Sequence, residues 1–396
     1  MTATHGAPLN VHLRRKGPEP APELLAMRDN EKPVPARMPW GPSGWLVTRH
    51  ADVRAVLADA ATFGNDATAD DDAHKGQSHF ESGLPLLNQD PPEHTRARRF
   101  LMPSFTVRRM RELEPRIQII VGERLDALEA AGSPADLVAD FALPVPTLVI
   151  CELLGVPEAD RADIEAWSRH RADLALSEGR RSAAADATRE RLARFVAARR
   201  RTNGPGLVGD LIRRHGAELD DDELVALADV LLFAGHTTTS NMIAIGTVAL
   251  LQLPEQAQLV RARERLSYPA IEELIRYLSI VPTTVPRIVR ADTEIAGQPI
   301  RRGEVVLCSL PAANRDGSLG EKMDQLNLNR GATTHVGFGY GVHHCVGAPL
   351  ARAQLRIAFP ALFRRFPELH MTQPVAKLPF VGNSFVAGLG ALPIAW

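Results

Sequence analysis

Cysteine, aromatic residues, net charge and long apolar runs are all scarce in this chain of 396 residues. Its three cysteines, Cys151, Cys308 and Cys345, are odd in number and far apart, which argues against a disulfide framework and fits a reducing compartment. The formal net charge is -1, so no basic excess favours nucleic-acid binding. The chain lacks an apolar run of about 18 residues, and its amino terminus lacks a signal-peptide core. These absences predict a cytoplasmic protein that binds neither nucleic acid nor membranes.

Helical patterns dominate what is present, and β patterns are short. With 45% hydrophobic residues and no evident linker, the chain is predicted to fold as one domain over 1–396. Its predicted class is mainly α with small β-sheets. Helices are predicted around 53–57, over 109–131 with Gly132 as the stop, and over 183–201; strands are predicted at 45–47, as a hairpin of 294–297 with 304–307, and as a terminal hairpin within 380–394.

The most apolar segment runs from residue 221 to residue 251. Asp220 is a candidate N-cap, and about 30 residues at 1.5 Å each make a rod of roughly 45 Å. Because the segment is apolar on nearly every side, it is predicted to run through the protein interior. Residues 235–240, GHTTTS, interrupt it with poor helix formers whose hydroxyls can bond back to the preceding turn. The interruption indicates either a tolerated kink or a place where the helix accommodates another group.

The strongest motif is FGYGVHHCVGAPLAR at residues 338–352. Gly339 and Gly341, spaced by one residue, permit a tight loop with positive φ angles. Cys345 follows where a helix is predicted to begin, and the positive end of a helix dipole favours a thiolate. Gly347 leaves room for a flat ligand near the backbone. The pattern therefore predicts a loop that presents a thiolate to a ligand.

Two other interpretations of Cys345 exist on the residues alone. A free cysteine is most often buried and inert. A zinc site would use His343, His344 and Cys345, but adjacent residues do not easily close a tetrahedron, and the chain has no CxxC partner and no HExxH-like motif. Neither interpretation explains the glycine pattern.

Segment 338–352 resembles the haem-binding loop of cytochromes P450. Glu273 and Arg276 resemble the ExxR pair of that family, and 234–239 resembles its oxygen-binding groove. The resemblance implies a cytochrome P450 fold with haem b between a long central helix and a cysteine-bearing loop and helix. Cys345 would bind the iron, and its thiolate would favour O–O cleavage. The matching loop positions are Phe338, Gly339, Gly341, His343, Cys345, Gly347, Leu350, Ala351 and Arg352.

The haem propionates need cations, and the resemblance implies which residues supply them. His94 and Arg98 are four residues apart and share a helix face. Together with Arg287 and His343 they would bind the propionates, since a planar guanidinium suits a carboxylate. The remaining haem contacts implied are Phe338 and Gly347. Four other arginines, Arg96, Arg99, Arg352 and Arg356, are candidates for a basic face that docks an acidic ferredoxin.

The family's activity implies a monooxygenase that inserts one atom of dioxygen into a bulky, largely apolar substrate by hydroxylation or epoxidation. The chain looks like bacterial members that tailor natural products or oxidise drug-like molecules, which places it in secondary metabolism such as antibiotic biosynthesis. It shows no flavin or ferredoxin domain, so electrons would come from a separate ferredoxin and ferredoxin reductase. A monomer is expected. The implied substrate pocket comprises Leu86, Leu87, Phe233, Val281, Thr284 and Phe385.

One position departs from the family pattern. The groove of the family usually has an acid followed by a threonine; here Thr237 occupies the acid position and Thr238 matches the alcohol, with Ala234 and Gly235 beside them. The alcohol holds the water that delivers protons, and the acid links that water to solvent. Thr237 can relay a hydrogen bond but carries no charge. The alternatives are a normal monooxygenase completed by water or substrate, an enzyme that leaks peroxide, peroxide-driven, oxidative-coupling or nitric-oxide chemistry, and a haem-thiolate sensor.

Overall fold

The computed structural model describes residues 10–37, 43–65, 85–164, 178–381 and 386–396. The α-helices are α1 (Pro22–Arg28), α2 (His50–Ala58), α3 (Glu93–Leu101), α4 (Val107–Ala131), α5 (Pro144–Leu154), α6 (Glu178–Thr202), α7 (Gly206–His215), α8 (Asp221–Leu251), α9 (Pro254–Arg261), α10 (Tyr268–Leu278), α11 (Leu310–Ala313) and α12 (Ala348–Arg365). Short 3-10 helices lie at Asn10–Leu13, Met102–Phe105, Gly317–Leu319, Gly341–His343 and Val375–Lys377, and a π-helix at Val138–Ala142.

The strands are short, as the sequence predicts. They are β1 (Arg15–Lys16), β2 (Glu19–Pro20), β3 (Val34–Arg37), β4 (Ser43–Val47), β5 (Phe63–Gly64), β6 (Ala135–Asp136), β7 (Arg287–Val289), β8 (Thr293–Ile295), β9 (Gln298–Ile300), β10 (Val305–Cys308), β11 (His370–Met371), β12 (Phe380–Val381), β13 (Gly388–Leu389) and β14 (Pro393–Ala395). The mainly α class with small sheets is therefore confirmed, and no described helix is both long and apolar enough to span a membrane.

The chain divides into two compact units. The first comprises Met1–Thr95, Glu272–Cys345 and Gly382–Ala387, and the second comprises Arg96–Ile271, Val346–Val381 and Gly388–Trp396. That the whole chain is one domain stays a prediction.

The first unit is built on a five-stranded sheet of order β3-β4-β10-β7-β5. Strand β4 runs parallel to β10 with Leu46 opposite Leu307, and antiparallel to β3. Apolar residues of α2, among them Val53 and Leu57, pack with Val306 of β10 in one buried cluster. The predicted strand at 45–47 is confirmed as part of β4, where Leu46 and Val47 pack in buried apolar clusters.

The predicted pairing of 294–297 with 304–307 is wrong. Strand β8 pairs with β9, Ile295 lying opposite Gln298, and β10 instead pairs with β4 and β7. The residues between β8 and β9 are Ala296 and Gly297, at φ +48° and +74°. Two successive positive φ values make the tight turn that suits a two-residue hairpin. The chain therefore reverses within the predicted first strand.

The second unit is helical around α8. Asp220 caps α8 by accepting from the Glu223 amide at 2.8 Å, and the Glu223 carboxylate accepts from the Asp220 amide at 3.2 Å. Helices α5, α6 and α12 pack against α8, which buries most of its length. The helix continues unbroken through 235–240. A Cβ at Gly235 would lie 3.2 Å from the Ile150 side chain, so close packing with α5 accounts for that glycine. The terminal hairpin is confirmed as β12 paired with β13.

Candidate functional site

Cys345 ends a tight loop in the first unit. Gly339 and Gly341 have φ +72° and +71°, which confirms the positive angles predicted from the motif. The Cys345 amide donates to the Phe338 carbonyl at 2.9 Å and closes the loop. A Cβ at Gly341 would run into the backbone of Leu57, so only glycine fits there. The Cys345 side chain is exposed, whereas Cys151 and Cys308 are buried. The exposure of Cys345 does not match the interpretation of a buried, inert cysteine.

Arg276 anchors this loop through backbone carbonyls and an asparagine. Its Nη1 donates to the Asn314 carbonyl at 2.8 Å and to the Met323 carbonyl at 2.7 Å. The side-chain Oδ1 of Asn314 then accepts from the Val336 amide at 2.7 Å, two residues before Phe338. The ExxR arginine thus positions the start of the cysteine loop through one intervening residue.

Glu273 balances the buried charge of Arg276, as the resemblance implies. Its Oε1 also accepts from Arg330 Nε at 2.9 Å and from the Asn327 amide at 3.0 Å. Arg330 was not predicted from the sequence, because nothing in its local pattern distinguishes it from a surface arginine. The buried structural pair is thus joined by a second arginine, Arg330, whose side chain is 14% exposed.

Arg287 is a buried cation with two unsatisfied donor nitrogens. It is 3% exposed, and its Nε and Nη1 have no hydrogen-bond partner among the described residues. Burial lowers the pKa of Arg287, and the nearby charge of Asp90 opposes that shift only in part. Buried donors without acceptors cost free energy unless a ligand supplies the acceptor. Arg287 therefore favours binding of an anion such as a carboxylate.

His343 and His94 lie side by side near that arginine's strand in the first unit. Their ring centroids are 4.2 Å apart, and His343 Nε2 lies 3.3 Å from Asp90 Oδ1. Asp90 Oδ2 accepts from Arg290 Nη2 at 2.5 Å. The first unit thus gathers two arginines and two histidines against one carboxylate. Asp90 and Arg290 were missed, although each is close in sequence to a predicted residue.

The arginines of α3 differ in their surroundings. Arg98 is half-buried and lies one turn after His94, and its contact with haem stays a prediction. Arg96 instead donates to Glu223 at 2.5 Å, and Arg99 pairs with Glu218 at 3.3 Å. On α12, Arg356 donates to a carbonyl at 2.7 Å and covers the ring of Tyr268. Arg96, Arg99 and Arg356, all proposed for ferredoxin docking, thus already have intramolecular partners, and the docking face stays a prediction.

The residues present fit haem better than a bare metal ion. No group of three or more His, Cys, Asp and Glu able to hold a metal ion occurs among the residues that the structure describes. The zinc interpretation is therefore not supported there. Haem needs a single protein ligand, which the exposed Cys345 offers, and cations for two carboxylates, which the buried Arg287 and its neighbours offer. Phe338 and Gly347 are half-buried on either side of Cys345 in sequence.

The groove residues lie together on α8 in the second unit. Thr238 Oγ1 donates to the Ala234 carbonyl at 2.8 Å, the back-bond predicted for this segment. Thr237 Oγ1 lies 3.0 Å from Nε2 of His236, a buried residue that sequence reasoning left without a role. In the sequence, His236 is marked only by its position next to Thr237, which replaces the usual acid of the family.

The predicted substrate residues are divided between the units. In the first unit, Leu86 is buried with φ +70°, and Leu87, Val281 and Thr284 are half-buried. Phe233, in the second unit, is also half-buried, and Phe385 lies outside the described residues. Val281 packs against the apolar cluster of the first unit, so it serves the core as well. Their joint contact with a substrate stays a prediction.

Comparison with known proteins identifies the family. The family model described as Cytochrome P450 matches residues 265–390. Cytochrome P450 165B3 of Amycolatopsis orientalis is 41% identical over 98% of this chain and 99% of its own length. The solved structure of P450 StaH from glycopeptide antibiotic A47934 biosynthesis has a TM-score of 0.88 at 41% identity and covers 98% of this chain and 100% of that chain. OxyC, a P450 implicated in oxidative C–C coupling during vancomycin biosynthesis, has a TM-score of 0.88 at 35% identity, covering 98% and 97%.

The chain therefore belongs to the cytochrome P450 family and is an oxidoreductase with bacterial relatives. Membership implies a haem cofactor, a small-molecule substrate and a redox partner.

Proposed function

We propose that the chain binds haem b through the Cys345 thiolate and inserts one oxygen atom of dioxygen into a bulky, largely apolar natural product or its precursor. The observation that carries the proposal is the combination of an exposed cysteine on a glycine-closed loop with the buried guanidinium of Arg287, whose Nε and Nη1 lack hydrogen-bond partners among the described residues. The chain lacks a CxxCH sequence, which supports non-covalent haem b. Electrons would come from a separate ferredoxin and its reductase in the cytoplasm.

Bound haem would supply the activation of dioxygen. The chain's own residues would bind and orient it: Arg287 Nε and Nη1 would donate to a propionate, and Asp90 would hold the His343 ring in place for the same purpose. Thr238 would hold a water by its lone pairs, since its own proton is committed to the Ala234 carbonyl. The loop from Phe338 to Cys345 would keep the sulfur at a constant position because Arg276 and Asn314 anchor its start.

The first experiment is a spectroscopic titration of the purified protein. The ferrous–carbon monoxide spectrum reports thiolate ligation, and a panel of macrolides, polyketides, steroids and aromatic peptides is screened for a shift of the iron toward high spin. Cys345→Ala should lose the thiolate-type spectrum, and Cys308→Ala, a buried cysteine of the same unit, should keep it. A thiolate-type spectrum that persists in Cys345→Ala would overturn the ligand assignment.

Oxidative coupling is the second candidate. It is supported by the likeness to OxyC and by the absence of an acid at Thr237. Insertion puts one oxygen atom into the product and releases the other as water. Coupling removes two hydrogen atoms from the substrate, and both oxygen atoms leave as water. Turnover under ¹⁸O-labelled dioxygen separates them by mass spectrometry: a labelled, heavier product supports insertion, and an unlabelled product lighter by two hydrogens supports coupling.

A further inference from the structure

His236 occupies both of its ring nitrogens inside α8. Nδ1 lies 2.6 Å from the Leu232 carbonyl oxygen, and Nε2 lies 3.0 Å from Thr237 Oγ1. A carbonyl only accepts hydrogen bonds, so Nδ1 carries a proton. In the neutral ring Nε2 then accepts, and the Thr237 hydroxyl must donate to it. The imidazole therefore determines which way the Thr237 proton points.

The two groove hydroxyls are consequently both committed as donors within α8. Thr238 donates its proton to the Ala234 carbonyl at 2.8 Å, just as Thr237 donates to His236. With a neutral His236, both hydroxyls offer only lone pairs to a bound molecule. A proton added at Nε2 reverses one of them, because Nε2 then donates to Thr237 Oγ1. Because the ring is 1% exposed and Nδ1 is bound to the Leu232 carbonyl, that proton reaches Nε2 through Thr237: the hydroxyl passes its own proton to Nε2 and takes up another from water in the groove, so the two residues store one proton and can return it.

We propose that His236 is a positioning residue that, together with Thr237, stores a proton beside the groove where the family has an acid. It holds a proton at Nε2 and thereby makes the Thr237 hydroxyl a donor. The side chain is 1% exposed, so its ring orientation is maintained by packing and by the Leu232 carbonyl. The inference rests on the proposed function, because its effect is proton delivery during the oxidation.

A purely structural role predicts a different pattern of effects. Thr247 lies further along α8, is buried, and donates to the Ile243 carbonyl at 2.8 Å, so Thr247→Val removes a comparable back-bond. His236→Gln keeps a hydrogen-bonding side chain but holds no extra proton. Thr237→Val removes the hydroxyl at nearly constant volume, and Thr237→Ser retains it.

The experiment measures product formed per electron consumed, with kcat and KM, in the haem-loaded variants. His236→Gln and Thr237→Val should each lower coupling and kcat by about tenfold, less than the roughly 100- to 10,000-fold effect of losing the group that transfers the proton itself, with KM little changed. The double variant should fall no further, because the two residues act as one unit. Thr237→Ser should restore most of the loss seen in Thr237→Val, and Thr247→Val should keep wild-type coupling.

A readout independent of turnover is the ¹⁵N spectrum of the His236 ring in the ferrous–carbon monoxide protein, assigned by its loss in His236→Gln. The expected ring is protonated at Nδ1, and its Nε2 resonance should shift in Thr237→Val but not in Thr247→Val. A ring protonated only at Nε2, additive losses in the double variant, or unchanged coupling in an active His236→Gln enzyme would overturn the inference. Failure of the wild-type protein to bind haem would instead overturn the proposed function.

Discussion

Arg276 and Glu273 form a two-bond ion pair with side chains 0% and 1% exposed. Arg276 Nε donates to Oε2 at 2.7 Å, and Nη2 donates to Oε1 at 2.9 Å. With three further bonds to backbone carbonyls, every N–H of the guanidinium has an acceptor. Such a pair adds little to folding stability compared with apolar side chains of similar volume. Losing one partner, however, leaves an uncompensated charge in the core.

Glu273→Ala should therefore lower the free energy of unfolding by about 3–5 kcal/mol, the scale for a buried pair that has lost one member. Glu190→Ala is the matched control, since its partner Arg194 lies one helical turn away and both side chains are exposed. Thermal and denaturant unfolding of both variants give the comparison. Equal destabilisation in the two would show that the Glu273 site contributes no more than a surface pair.

Arg287→Leu should affect haem binding and apoprotein stability in opposite directions. Losing even one charge-assisted hydrogen bond costs about 1.5–3 kcal/mol, so without the two proposed bonds haem should bind at least about 10-fold more weakly. The apoprotein should unfold at the same or a higher temperature, because a buried charge with two unsatisfied donor nitrogens has been removed. Arg301→Leu, at a side chain 73% exposed in the same unit, should change neither quantity. An Arg287→Leu apoprotein that is destabilised while haem affinity is kept would contradict the role in anion binding.

The three cysteines should differ sharply in reactivity. Burial raises the pKa of Cys308 to about 12, so almost none of it is thiolate at neutral pH, and Cys151 is buried as well. In haem-depleted protein, iodoacetamide should alkylate Cys345 first, and haem should protect it. Peptide mass spectrometry after timed quenching measures each site. Alkylation of Cys308 as fast as Cys345 in the folded protein would contradict the burial assignment.

His12 predicts a loss of stability in acid. Burial lowers its pKa from 6.5 to about 4, so between these values the unfolded chain binds a proton that the folded chain refuses. The free energy of unfolding is therefore unaffected by this residue above pH 6.5 and decreases as the pH falls to about 4, by at most about 3 kcal/mol. His12→Gln should flatten that part of the curve of unfolding free energy against pH. His370→Gln, at an exposed histidine, should leave the curve as it is.

Thr238→Ala should lower product formed per electron, because the side chain that holds the delivering water is gone. Thr202→Ala removes a similar back-bond to Ala198, at 3.1 Å on an exposed helix face, and should not alter coupling. Oxygen-electrode and peroxide assays follow the electrons that are lost. Unchanged coupling would remove Thr238 from the relay.

Local chemistry in the sequence was enough for several parts of the site. The glycines at 339 and 341 predicted positive φ angles, because few other residues adopt them. Asp220 predicted the start of α8, because its side chain can accept from nearby backbone amides. The spacing of Glu273 and Arg276 placed them on one helix face. These effects depend only on residues close together in the chain, so they can be predicted without knowing the rest of the fold.

Tertiary structure decided the partners that are distant in sequence. Strand β10 lies between β4 and β7 and pairs with both. The alternation of residues within β10 does not reveal which strands will lie beside it. Arg330 joins Glu273 across 57 positions, and Arg290 joins Asp90 across 200. His236 needed its three-dimensional contacts to show that the groove has a titratable group bonded to Thr237. The sequence by itself determined the family motif and the local backbone conformation. The tertiary structure decided which charged side chains pair, because a charge removed from water is stable only beside a partner.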